Sequence, residues 1–361
     1  MTDRKTAGEK ASGQKAAGKE IASQDLADRK TARSRKVGSK ALKPSGVGSR
    51  LVDLLFLIRP PLLVASSTFF YVGAISARMV SGRDFSFALM PEAFPNFLIF
   101  VMGIAVAFIV NQIFDVKSDA VNKKAYLLPS GIVSKRAAAG LLTGICAALL
   151  ITSAMAGTSV RYLIWVGLLL GLAYSMPPLR LKAWPVFDLV ANVAGFAGVG
   201  FALGWLVYEP YQPLMWFRMV PYALAMSGIF LNTCIPDEKG DRSVGDRTSC
   251  VVFGRDVVAR AALVFLGLSG LTGLAVGETL CVLAVAAGFP GFIGVALDPS
   301  SRTSVVASQF AARFLLVLVC IKAPVLALLA VLTYLASKSY YARRFGVAYP
   351  RVTGAEKTKA S

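Results

Sequence analysis

Apolar runs of about twenty residues recur along this chain, and no other feature limits its fold as strongly. At about 1.5 Å per residue, a helix of that length crosses the roughly 30 Å hydrocarbon core of a bilayer. Nine such runs are readable, at about 51–80, 94–114, 137–156, 162–176, 185–207, 220–235, 257–274, 279–295 and 310–335. Hydrophobic residues make up 55% of the chain, and its mean hydropathy is +0.61. The expectation is an all-α integral membrane protein with about nine transmembrane helices. Its one membrane domain, 50–337, lies between a basic N-terminal tail at 1–49 and a basic C-terminal tail at 338–361.

The formal net charge is +19. In a soluble domain that excess would point to nucleic acid. Here the cations sit in the tails and in short segments between apolar runs, so membrane lipid and phosphate are the expected partners and nucleic acid is not. Residues 1–49, rich in Lys, Arg, Ala, Gly and Ser, read as a disordered tail held in the cytoplasm by its charge. Nine crossings from a cytoplasmic N-terminus would leave the basic C-terminal tail on the opposite face, against the charge rule, so eight or ten crossings stay open. Histidine is absent, which removes the commonest general base and transition-metal ligand. The five cysteines are scattered, with neither a disulfide frame nor a zinc spacing.

Two polar clusters end apolar runs on what should be one face of the membrane. Asn111, Asp115 and Asp119 are spaced by four, which stacks them on one side of a helix. Asp237 and Asp241 repeat the spacing after Asn232. A carboxylate at a bilayer is expensive, so paired sets of them argue for a cation. Four hard oxygen donors with no soft ligand select Mg²⁺ or a similar ion, which typically bridges carboxylates to phosphate oxygens. Lys123, Lys124, Arg180, Lys182, Arg242 and Arg247 lie in adjoining segments and suit the same phosphates. A diphosphate with a long apolar tail fits the mouth of such a bundle. Arg59, just before Pro60-Pro61, either snorkels to the headgroups or faces an internal anion. The plainer readings are solvated acidic faces, topology-setting cations and proline helix stops. Gly195, Gly198, Gly200 and Gly204 suit close helix packing in the fifth run.

Three motifs together resemble the UbiA superfamily of intramembrane prenyltransferases. They are Asn111-x-x-x-Asp115-x-x-x-Asp119 with Asn122 and Pro129-Ser130-Gly131, Tyr174-Ser175-x-Pro177-Pro178-Leu179-Arg180-x-Lys182, and Asp237-x-x-Gly240-Asp241-x-x-x-Gly245. The resemblance covers about residues 51–335 and implies a ring of helices around a central cavity. It also implies Mg²⁺-dependent transfer of a prenyl group from a prenyl diphosphate to a small-molecule acceptor. Asp115, Asp119, Asp237 and Asp241 would hold the metal, and with Lys182 form the catalytic set. Arg59, Asn111, Lys123, Tyr174, Arg180 and Arg242 would contact substrate. The implied location is a bacterial or archaeal inner membrane with the site loops cytoplasmic.

Gln112 departs from the commoner Asp, and the Arg-Pro frequent after the first motif is replaced by Lys123-Lys124 and Pro129. Asn-Gln-x-x-Asp is similar to the branch that prenylates homogentisate and to some other subgroups, which leaves the branch open; an aromatic, quinone-precursor or homogentisate-like ring is the expected acceptor. Sugar phosphate, glycerol phosphate and tetrapyrrole acceptors remain open. Phe114, Tyr174, Phe201 and Trp205 are candidates to face an allylic cation, although helix packing is the plainer reading for each. Asp246 is a candidate for taking the acceptor's proton. The rival from another class is a cation-coupled transporter, which would place its acids near mid-span rather than at span ends.

Overall fold

The computed structural model describes residues 47–82, 91–121 and 126–346. The expectations for the N-terminal tail before residue 47, for Asn122, Lys123 and Lys124, and for the C-terminal tail beyond residue 346 lie outside the described residues. Among the described residues, ten helices are long and apolar enough to cross a membrane. The order begins with α1 (Val47–Leu57), α2 (Pro60–Val80), α3 (Phe94–Phe114), α4 (Val116–Val121), α5 (Lys135–Met155) and α6 (Thr158–Ser175). It continues with α7 (Phe187–Val193), a π-helical segment Ala194–Val199, and α8 (Gly200–Trp205), which together form one span. Then come α9 (Pro213–Cys234), α10 (Glu238–Val244), α11 (Ser249–Phe253), α12 (Arg255–Val276), α13 (Thr279–Leu297), α14 (Ser301–Lys322) and α15 (Pro324–Phe345).

Proline sets several of these boundaries, because its ring fixes φ and it has no N–H to give. Pro60 and Pro61 start α2, so the expected first run of 51–80 is a short helix followed by a span. Pro177 and Pro178 follow the end of α6, as expected of a stop. Ser134 caps α5 by accepting from the Ala137 N–H at 3.1 Å. Pro324 divides the expected ninth run into α14 and α15, giving ten spans where about nine were expected.

The tenth crossing settles where the chain returns. The end of α15 packs on α1: Tyr340 donates to Asp53 at 2.6 Å, Arg344 pairs with the same carboxylate at 2.9 Å, and Tyr340 stacks on Phe56. Leu127, Leu128 and Val133, from the segment after the first acidic motif, share this apolar cluster with Phe56 and Tyr341. The end of α15 and the first acidic motif therefore lie on one face. On the opposite face Glu278 accepts from Ser76 at 2.6 Å, Arg218 at 2.9 Å and Tyr222 at 3.0 Å, joining α2 and α9 to the start of α13.

Glycine allows α2 and α8 to touch backbone to backbone. A Cβ on Gly204 would stand 1.9 Å from the Phe70 carbonyl oxygen, and one on Gly73 would stand 2.1 Å from that of Phe201. This is the close approach expected of small residues in membrane bundles. Gly195 does something else: a Cβ there would meet nothing within 4 Å.

Candidate active site

The first motif spans a helix junction rather than one unbroken helix. Asp115 caps α3, and α4 begins at Val116. The spacing by four survives, because the Asp115 N–H bonds the Asn111 carbonyl at 2.9 Å and the Asp119 N–H bonds that of Asp115 at 2.8 Å. The Asn111 amide donates to Asp115 Oδ2 at 2.6 Å and to the Ser175 hydroxyl at 3.3 Å, so α3 and α6 are joined at the carboxylate. Asp115 and Asp119 are both buried.

Lys182, buried in a 3₁₀ turn after the proline pair, pairs with Asp115 Oδ1. Arg180 lies 3.5 Å from the same oxygen, while its fork grips Asp246 at 3.0 and 2.7 Å. The short helices α4 and α10 pack together, bringing the second motif to the first. Burial and then the Asp237 charge push the Asp241 carboxyl up to about 7; Lys182 opposes this, and Asp246 and Asp115 add to it.

A cavity of about 250 Å³ opens behind these charges. Its polar wall includes Arg59, Asn111, Tyr174, Asn192 and Asp237, and the rest is apolar residues of α3, α5, α6 and the π-helical span. Asn111 and Asp237 thus belong to both the charged mouth and the cavity. Arg59 faces the cavity as well, in a left-handed conformation at the start of α2.

One expected contact does not gather here. Arg242 is largely exposed and pairs with Glu238 at 2.8 Å on its own helix. Lys123 lies outside the described residues. Of the four aromatic candidates only Tyr174 lines the cavity. Phe201 and Trp205 are fully buried and stacked on each other, while Phe114 is exposed. Phe100, Phe108 and Phe196 line it instead. Counting back from Asn111 by threes and fours reaches Phe108, Gly103 and Phe100, so that stripe is readable as a helix face. Asp188 belongs to none of the three motifs. It accepts from the Ser249 N–H at 2.7 Å and hydroxyl at 2.6 Å, clamping the start of α7 to α11 beside the site.

Among the described residues, no cluster of three or more His, Cys, Asp and Glu forms a ready cation shell. The donor set still suits a hard cation that takes much of its coordination from phosphate. It is all oxygen, and Asp241, raised to about 7 by burial and by Asp237, Asp246 and Asp115, carries a repulsion that a cation would relieve.

These features define a polytopic helical integral membrane protein with an acidic site at the mouth of an apolar cavity. Residues 69–318 match the UbiA prenyltransferase family, and the chain belongs to it. A probable homogentisate phytyltransferase 2 of Oryza sativa subsp. japonica is 30% identical over 210 residues, 55% of this chain and 52% of that protein. The 2-acyl-4-prenylphloroglucinol 6-prenyltransferase of Humulus lupulus is 24% identical over 204 residues, 53% of this chain and 49% of that protein. The chain thus spans about half the length of these two curated relatives. A solved UbiA homolog from Archaeoglobus fulgidus, bound to GPP and Mg²⁺, shares the fold with TM-score 0.58 at 18% identity, covering 76% of this chain and 99% of that one.

Proposed function

We propose that the chain transfers a prenyl group from a prenyl diphosphate to an electron-rich aromatic ring, with Mg²⁺ held by Asp115, Asp119, Asp237 and Asp241. The observation that carries this reading is the meeting of both acidic motifs with Lys182 at the mouth of an apolar cavity. The names of the two plant relatives, one for homogentisate and one for a phloroglucinol, support an aromatic acceptor. The solved homolog's GPP and Mg²⁺ support the donor class and the metal.

When bound, the metal supplies positive charge to the departing diphosphate. Lys182 and Arg59 bind the same phosphates, and Asn111 holds Asp115 in place. The allylic C–O bond breaks with its electron pair leaving on the diphosphate. A ring carbon gives its π pair to the allylic carbon, forming the new C–C bond. The ring then loses a proton to restore aromaticity. Arg180 engages both Asp246 oxygens, so the released diphosphate is the base in this scheme. Phe100, Phe108 and Phe196 exclude water and offer π faces to the developing cation. Acids at span ends beside Lys182 and Arg180 favour phosphate chemistry over a cation-coupled transporter.

The test is purified protein with Mg²⁺, radiolabelled geranylgeranyl diphosphate and an acceptor panel of homogentisate, a phloroglucinol and glycerol phosphate. The expected product is a prenylated ring, with activity lost at least about 100-fold in Asp115→Ala. Transfer only to glycerol phosphate would overturn the aromatic reading. No transfer at all, with diphosphate release unchanged in Asp115→Ala, would overturn the transferase reading.

A further inference from the structure

The segment 176–187, which carries Arg180 and Lys182 into the site, is built inside out for a loop in water. Its exposed side chains are all apolar: Met176-Pro177-Pro178-Leu179, Trp184 and Val186-Phe187. Leu179 is 57% exposed, Trp184 56% and Phe187 60%. Its two charges turn the other way, Lys182 to Asp115 and Arg180 to Asp246. A water-facing loop does the reverse, showing its charges and covering its large apolar groups. The segment 238–247 has that ordinary pattern, with Lys239, Arg242 and Arg247 exposed. The two segments are neighbours, since the Arg247 N–H bonds the Ala183 carbonyl at 3.2 Å.

The backbone of 176–187 suits the same surroundings. Pro177, Pro178 and Pro185 have no N–H to hydrate. The N–H groups of Met176, Arg180, Ala183 and Trp184 bond carbonyls at 2.8–3.1 Å, and that of Val186 bonds the Ser249 hydroxyl at 2.9 Å. Irregular backbone at membrane depth needs such internal partners, because hydrocarbon offers none. The apolar surface is also continuous with that of a span. Phe187 and the exposed Val190 lie on one side of α7, the start of the fifth span.

We propose that segment 176–187 is seated in the bilayer, with Leu179, Trp184 and Phe187 against the acyl chains just below the headgroups. The bilayer thereby braces the turn that holds Lys182 against Asp115. This goes beyond the prenyl-transfer reading, and its test needs no substrate.

The experiment uses the full chain in nanodiscs of purified phospholipid, with the Trp184 fluorescence taken as wild type minus Trp184→Phe. Lipid brominated near the top of its acyl chains should quench that signal by about half or more, and aqueous iodide should leave it unchanged. As a second probe, Leu179→Cys should react with a charged, water-soluble thiol reagent at least about tenfold more slowly than Lys239→Cys, after subtraction of wild-type labelling.

Quenching of Trp184 by iodide and not by bromolipid, or equal labelling at the two positions, would overturn the inference and leave the prenyl-transfer reading standing. Protection of Leu179→Cys that requires cell extract added to the nanodiscs would overturn it too, because it would assign the surface to a protein partner. Should one variant fail to fold, the other probe decides.

Discussion

Arg180 engages both oxygens of Asp246, and that fork holds the segment carrying Lys182 against the segment after the second motif. The Arg247 N–H bonds the Ala183 carbonyl at 3.2 Å in support. Arg180→Gln and Asp246→Asn should each lower kcat/KM by about tenfold or more, as expected for a charge-assisted hydrogen bond. The double variant should be no worse than the poorer single one, because the pair acts as a unit. Kinetics on the three variants checks this, and multiplying losses would mean that the two residues act separately. No periodicity connects Arg180 to Asp246, which are 66 positions apart, so the sequence does not reveal this pair. Asp115 is different. Spacing by four is a local rule, and the Asn111 amide meets that carboxylate at 2.6 Å as the rule requires. Gln112, the residue that departs from the family's commoner pattern, turns away from the site. Its amide donates to the Leu57 carbonyl at 2.7 Å and to that of Phe108 at 3.0 Å, fastening the end of α1 to α3. It therefore says nothing direct about the acceptor.

Helices are easier to read from sequence than their ends and faces. Eight of the nine expected runs correspond to single spans within a few residues, or more loosely at the first and sixth, because long apolar stretches leave few alternatives. The ninth hides a break. Lys322 followed by Pro324 marks it, but mean apolarity across 310–335 masks the signal. The π-helical turn at Ala194–Val199 cannot be read at all, since every face assignment assumes a period of 3.6. That is why the expected aromatic faces of the fifth run fail: Phe201 and Trp205 pack inward, and Phe196 reaches the cavity. The glycines divide in the same way. Gly204 makes the α2–α8 contact, while Gly195 leaves space. Gly204→Ala should therefore destabilise the bundle by at least about 2 kcal/mol, in the range of an overpacked core, because the clash is with backbone that cannot rotate away. Thermal unfolding in detergent measures it, and an unchanged midpoint would contradict the close contact.

Ten crossings resolve the conflict that charge raised. With ten, the end of α15, which carries Arg343 and Arg344, lies on the face of the first acidic motif, as the charge rule asks of basic residues beside a span. The same arrangement gathers Lys182, Arg180, Asp115, Asp237 and Asp241 at the mouth of a largely apolar cavity that Arg59 also lines. An ion-binding mouth and an oily interior suit an amphiphile with an anionic head. The central claim is that the two motifs, more than a hundred residues apart, form one site. The direct measurement is equilibrium binding of geranylgeranyl diphosphate, with and without Mg²⁺, to wild type, Asp115→Asn, Asp241→Asn and the double variant. One shared site predicts that each single variant weakens binding at least about tenfold, that the double is no weaker than the poorer single, and that omitting Mg²⁺ causes the same loss. Losses that multiply, or binding indifferent to Mg²⁺, would contradict it.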